Sequence, residues 1–147
     1  MAYPSKKDLL TWATNYPRLW NAGDKQAWVD NYRRVVSGEV RMLDPVGTPE
    51  KVGFKHCCED SWDLFQPRVR FVIQPGTFFV CGHEVAWCLE NHFDGPQGSQ
   101  CQFSLETYRF EEDGSLMIRT YYRVPAHQDT SMGDLCTRYL PDNQQGL

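Results

Sequence analysis

The sequence has no CxxC pair, no concentration of basic residues and no apolar run approaching the length of a bilayer. Each absence closes a class of function. Without CxxC, the six cysteines (Cys57, Cys58, Cys81, Cys88, Cys101 and Cys136) lack zinc-site spacing, and no metal is expected. His56, His83, His92 and His127 read as surface or structural groups, since none stands at ligand spacing with a carboxylate. A net charge of −4 with no basic face argues against a nucleic-acid partner. A membrane helix needs about 20 consecutive apolar residues, and every apolar run here is far shorter, so no membrane partner is expected. The opening MAYPSKKDLL lacks the apolar stretch of a secretory signal. The expectation is a cytoplasmic chain whose cysteines stay reduced, mostly as small core residues.

Aromatic residues are abundant. They make up 14% of the 147 residues, with five Trp, seven Tyr and eight Phe. That supply suffices for a core and for the wall of an apolar cavity as well. The length fits a single domain spanning residues 1–147.

The first half reads as helices. Ser5 caps the first and Asp8 sits favourably in its first turn; Leu9, Trp12, Ala13, Tyr16, Leu19 and Trp20 then recur at helical spacing. Asn21 to Asp24 breaks that helix and Asp24 caps the next, whose stripe is Trp28, Tyr32, Val35 and Val36, ending at Ser37-Gly38. Val40 to Leu43 is a short strand. A third helix is expected from near Pro49 to Phe65. The second half alternates as strands do: Val69 to Ile73, Thr77 to Cys81, Glu84 to Phe93, Gln100 to Phe110, and Leu116 to Val124 after the Asp113-Gly114 hairpin signal. The tail, residues 126–147, reads as loosely ordered. Helices followed by strands give an α+β class: a cone-shaped, curved antiparallel sheet wrapped by three N-terminal helices around a pocket.

The stretch RMLDPVGTP, Arg41 to Pro49, admits two readings. Asp44 before Pro45 starts a turn, or it is a carboxylate held at a pocket mouth to move a proton. Four segments bear on this: Tyr16 with WNAGDKQAWVDNY ending at Tyr32; DPVGTPEKVG, Asp44 to Gly53; SLETYRFEEDG, Ser104 to Gly114; and the last strand, Leu116 to Val124. In spacing and order they resemble the ketosteroid isomerase branch of the nuclear transport factor 2-like (polyketide cyclase-like) superfamily.

The resemblance implies a cofactor-independent proton transfer on a small apolar carbonyl compound, with double-bond isomerisation first and a cyclase or dehydratase second. It implies Asp44 as base, Tyr16 and Glu106 as donors to the developing oxyanion, and Tyr32 behind Tyr16. Trp62, Phe103, Tyr108 and Arg123 are the further expected pocket residues. The residue types suit that chemistry on their own terms. A carboxylate gains basicity when poorly solvated, an enolate needs preorganised donors, and a carboxylic acid donates only while protonated. An Arg123 facing the same cavity would instead pair with Glu106 and keep it ionised. The resemblance also implies a homodimer. The competing class is a binding module of the same fold that catalyses nothing.

Overall fold

The computed structural model describes residues 2–123; the expected loose tail, with His127 and Cys136, lies outside the described residues. Three helices lead. α1 spans Lys6–Ala22 and opens on Ser5, whose side chain accepts from the Asp8 amide. It closes on Gly23 at φ 73, the left-handed cap that favours glycine. α2 spans Lys25–Arg33, with Asp24 accepting from the Ala27 amide. It ends four residues before Ser37. There the Ser37 and Gly38 amides turn to the Gly114 carbonyl, at 3.1 and 2.8 Å. Gly38 lies so close to that hairpin that a Cβ would stand 2.9 Å from the Ser115 nitrogen, which fixes glycine there. Val35 and Val36 stay buried although they leave the helix.

The expected third helix divides. Lys51–Val52 is a strand, Lys55–Glu59 a π-helical turn, and only Asp60–Phe65 is α-helical (α3). The strands are β1 (Val40–Leu43), β2 (Lys51–Val52), β3 (Val69–Ile73), β4 (Phe79–Cys81), β5 (Glu84–Gly95), β6 (Gly98–Phe110) and β7 (Leu116–Tyr122). They form one sheet in the order β2-β1-β7-β6-β5-β3, with β4 also on β5.

The sheet is mixed, where an antiparallel one was expected, because β1 runs parallel to β7, Val40 opposite Leu116. β1 arrives from α2 rather than through a hairpin, so nothing forces it to reverse. β5, β6 and β7 are the long strands, and β5 pairs with β6 from Glu84↔Arg109 to Gly95↔Gly98. Alternation divides their side chains cleanly between two faces. Val85, Trp87, Leu89, Asn91 and Phe93 point in from β5, and Gln102, Ser104, Glu106, Tyr108 and Phe110 from β6. Onto that face α1 and α2 lay Trp12, Tyr16, Trp20, Trp28 and Tyr32. Trp12 stacks on Trp87 at 5.5 Å and Trp20 on Phe71 at 4.2 Å. The Trp20 indole N–H also donates to the Val69 carbonyl at 2.8 Å, tying α1 to β3. No helix among the described residues is long and apolar enough to cross a membrane.

Candidate functional site

The inward face does not fill completely. Between α1, α2, α3 and the sheet lies a narrow cavity, and Tyr16, Tyr32, Asp44, Glu106 and Tyr108 all line it. The rest of the wall is mostly apolar, from Trp20, Trp28, Met42, Phe65, Phe71 and Ile118.

Asp44 follows the last residue of β1. The next segment is fastened to β7 by the Val46 amide, which donates to the Thr120 carbonyl at 2.8 Å. The Asp44–Pro45 peptide is cis. Asp44 is thus a turn residue and a cavity residue at once. Its Oδ1 accepts from the Tyr122 hydroxyl at 3.3 Å. The buried Lys51 donates to its backbone carbonyl at 3.1 Å. Burial raises the Asp44 carboxyl above its ordinary range, while the Lys51 charge and the Tyr122 hydroxyl pull the other way.

Glu106 sits deeper, on β6, only 8% exposed. Its Oε2 accepts from the Tyr108 hydroxyl at 2.5 Å and from the Trp87 indole at 3.0 Å. Among the described residues its Oε1 has only a long contact, from the Ser104 hydroxyl at 3.4 Å. Burial pushes the Glu106 carboxyl up to about 7, and the negative charge of Asp44 adds to the effect. Two carboxyls that feel each other share their titration. Their surroundings nevertheless order them: the Lys51 charge and the Tyr122 hydroxyl favour charge on Asp44, whereas at Glu106 burial and the Asp44 charge outweigh its hydrogen-bond donors. The first proton of the pair therefore belongs to Glu106. With Oε2 occupied by two donors, that proton falls on Oε1.

Tyr16 completes the group. Burial, with the charge of Glu106 beside it, holds its hydroxyl protonated, well above the ordinary phenol range, although the neighbouring Tyr108 and Tyr32 hydroxyls pull the other way. Tyr32 is raised in the same way.

The other expected residues divide. Trp62 is buried beneath the wall, 5.1 Å from Trp20 and from Trp28, and is not on the lining. Phe103 and Arg123 lie on the opposite face of the sheet, with the Arg123 guanidinium 4.5 Å over the Phe103 ring. Parity explains both. Ser104 and Glu106 point inward, so Phe103 between extended neighbours points out. Glu106 pairs with Thr120, which turns Thr120 and Tyr122 inward and Tyr121 and Arg123 outward. Arg123 therefore does not meet Glu106.

Sequence reasoning passed over Asn91, Tyr122 and Lys51. Asn91 lines the cavity, and its amide donates to the Gln102 carbonyl at 2.9 Å and the Ser104 hydroxyl at 3.0 Å. A signal existed: Asn91 is the one polar residue in the inward series Val85, Trp87, Leu89, Asn91, Phe93. Lys51 had none, because its strand is two residues long.

Comparison with known proteins places this geometry. No family model and no curated protein matches the chain. Solved structures do. An epoxide hydrolase/cyclase-like enzyme, SalBIII, of pyran ring formation in the polyether salinomycin is 17% identical, with a TM-score of 0.62 over 82% of this chain and 94% of that one. A Mycobacterium tuberculosis protein solved with estradiol-17β-hemisuccinate is 20% identical, with a TM-score of 0.59 over 80% and 95%. A SnoaL-like polyketide cyclase from Jannaschia is 16% identical, with a TM-score of 0.60 over 84% and 91%. The chain has the nuclear transport factor 2-like fold. At these identities the likeness concerns the backbone, so the chemistry must be argued from the lining residues of this nuclear transport factor 2-like cavity.

Proposed function

We propose that the chain is an enzyme that moves a proton on an apolar carbonyl compound, with Asp44 as base and Tyr16 and Glu106 as donors to the enolate oxygen. One observation supports this above the rest. A half-buried carboxylate with a cation beside it and a deeply buried carboxyl that holds a proton near neutral pH line one apolar cavity. Paired carboxyls in contrasting surroundings are suited to act as base and acid at the same pH.

In the proposed reaction the Asp44 carboxylate takes the proton from the carbon beside the carbonyl. The C–H electron pair becomes the enolate, and its oxygen is stabilised by the Tyr16 hydroxyl and the Glu106 Oε1 proton. Asp44 then returns the proton further along the conjugated system, which shifts the double bond. No net proton leaves or enters. A cyclase or dehydratase would share the first step and differ in where the enolate reacts. The neighbour solved with a steroid ester supports a flat apolar ligand for such a cavity. The exposed apolar residues of the outer face, Phe79, Leu105 and Tyr121, support a homodimer.

The test is turnover of a β,γ-unsaturated 3-ketosteroid, read as absorbance of the conjugated enone. Deuterium uptake beside the carbonyl of a saturated ketosteroid in D2O reads the first step alone. Exchange by the wild type that Asp44→Asn loses, with steroid binding intact, is the expected result. Binding without any exchange in the wild type would leave a binding module and overturn the catalytic reading.

A further inference from the structure

On the outer face of the sheet three side chains converge. Glu90 and His92 stand two residues apart on β5, so both project to the same side. Cys101 on β6 is the register partner of His92. The Glu90 carboxylate oxygen Oε1 lies 2.8 Å from the His92 Nε2, and the Cys101 sulfur lies 3.9 Å from that same nitrogen. One ligand-type atom from each residue falls within 4.8 Å of the others, and all three residues are half-buried.

The shared nitrogen decides between two kinds of chemistry. In a cysteine nucleophile activated by histidine, the acid holds the imidazole by the nitrogen opposite the one that meets the sulfur. Here carboxylate and thiol both address Nε2, so the ring cannot relay between them. Instead one ligand-type atom of each residue lies close to those of the other two. Metal bonds of about 2.0–2.3 Å at tetrahedral angles set ligand atoms roughly 3.3–3.5 Å apart. The two His92 separations of 2.8 and 3.9 Å straddle that value, and the Glu90 and Cys101 ligand atoms lie within 4.8 Å of each other, so side-chain adjustments without a change of backbone would seat an ion. The donor set of one sulfur, one nitrogen and one oxygen suits zinc rather than calcium or magnesium, which take oxygen ligands.

We propose that Glu90, His92 and Cys101 bind a zinc-class divalent cation on the outer face of the sheet, with a fourth position open to water. The site is separate from the cavity, because alternation puts these three side chains opposite Leu89, Asn91 and Gln102. Among the cations of that face, two stand beside the cluster. Arg70 on β3 is the register partner of His92 and is exposed, and Arg123 is stacked on Phe103. The thiolate and carboxylate bring two negative charges to the ion, so their presence weakens the site without abolishing it. Nothing here depends on the proton-transfer reading.

The test uses the full, metal-stripped, reduced chain titrated with Co2+, whose thiolate complex absorbs in the near ultraviolet. One equivalent should give a thiolate-to-cobalt band that Zn2+ bleaches. Cys101→Ser should lose the band although Cys57, Cys58, Cys81, Cys88 and Cys136 remain. His92→Gln should weaken Co2+ binding by more than the ~10-fold expected for a lost outer contact, and Glu90→Gln offers the same reading should Cys101→Ser not fold. A wild type without the band, a band that survives Cys101→Ser, or unchanged affinity in both His92→Gln and Glu90→Gln would overturn the proposal.

Discussion

The two faces of the same three strands handle charge in opposite ways. Inward, Glu106 is packed among Trp87, Tyr108 and Tyr16, and burial pushes its carboxyl up to about 7. Outward, Glu90, one strand position from the inward Asn91, sets its carboxyl group beside His92 at a half-exposed surface. Backbone and hydrogen-bond ladder are common to both. The difference lies in what covers them. Helices α1 and α2 roof the inner face with indoles and phenols, so charge there costs desolvation. The outer face has water to solvate charge, so ionic and metal-type contacts form instead. A one-residue step in a strand is enough to pass from one regime to the other.

The largest break of that contrast is expected at Asp44. Asp44→Asn keeps shape and removes the base, and turnover should fall by about 10²–10⁴-fold, the usual contribution of a positioned general base. An outer-face change such as Arg109→Gln should leave turnover within about twofold, since among the described residues Arg109 pairs only with Glu111. Equal losses in both variants would mean that the cavity is not where the chemistry happens.

Glu106 sharpens the contrast through pH. Its carboxyl titrates near 4.5 when unfolded and about 7 when folded, so the folded chain holds the extra proton between those values. Stability is therefore full below about pH 4.5, falls as pH rises, and levels off above about 7, a loss of roughly 3 kcal/mol. Asp44, also raised by burial, adds a loss of the same sign. Urea unfolding at pH 5 and pH 8 should show the decline in the wild type and a smaller one in Glu106→Gln, which cannot ionise. Turnover, which needs Glu106 protonated and Asp44 charged, should fall on the alkaline side near pH 7 and on the acid side as Asp44 takes its proton. A stability that rises from pH 5 to pH 8 would contradict the dry inner face.

How much of this was legible in the chain depends on parity and coverage. The helix caps at Ser5 and Asp24 and the long alternations of β5 and β6 were readable, because each is a local pattern. So was the convergence of Tyr16, Asp44, Glu106 and Tyr108 on one cavity lining, given the resemblance. The outward placing of Phe103 and Arg123 follows from the same alternation: if Ser104 and Glu106 face in, Phe103 faces out, and Arg123 follows Tyr121. The parallel pairing of β1 with β7 was not legible, since no short-range signal says which edge a strand joins. The break of the third helix into β2, a π-helical turn and α3 was hidden for a related reason. Lys51–Val52 is a strand only because β1 is there to pair with it. The cluster of Glu90, His92 and Cys101 escaped because its ligands approach across a hairpin, nine residues apart at the ends that meet, rather than at a familiar metal spacing.

A smaller effect, on stability alone, is expected at the seam between α1 and the sheet. Trp20→Phe removes the indole donor to the Val69 carbonyl and leaves that buried acceptor unmet, which should cost about 1–3 kcal/mol in urea unfolding. The corresponding outer contact is worth less. Replacing Lys25, whose ammonium meets Asp63 at the surface, by Gln should cost under about 1 kcal/mol. A Trp20→Phe cost no larger than the Lys25→Gln cost would mean that water reaches the inner face there.

The smallest expected effect is at Leu105, and it is the most informative about the outer face. Leu105 is 43% exposed, whereas Leu89 on the adjacent strand is fully buried. In an isolated chain Leu105→Ser should change stability by about 0.5 kcal/mol or less, while Leu89→Ala should cost roughly 2–5 kcal/mol. That pair calibrates the two faces with one residue type. Leu105→Asp then asks what the outer face meets. If two copies pair through Phe79, Leu105 and Tyr121, a buried unpaired carboxylate at their centre should shift the mass measured by light scattering from dimer to monomer, with the monomer's fold intact by circular dichroism. If the mass of the wild type already equals one chain, or that of Leu105→Asp still equals two, this patch does not hold a dimer together. In the first case the half-exposed leucine is an ordinary surface residue, and the contrast between the faces is one of burial alone. In the second, a dimer must use another surface.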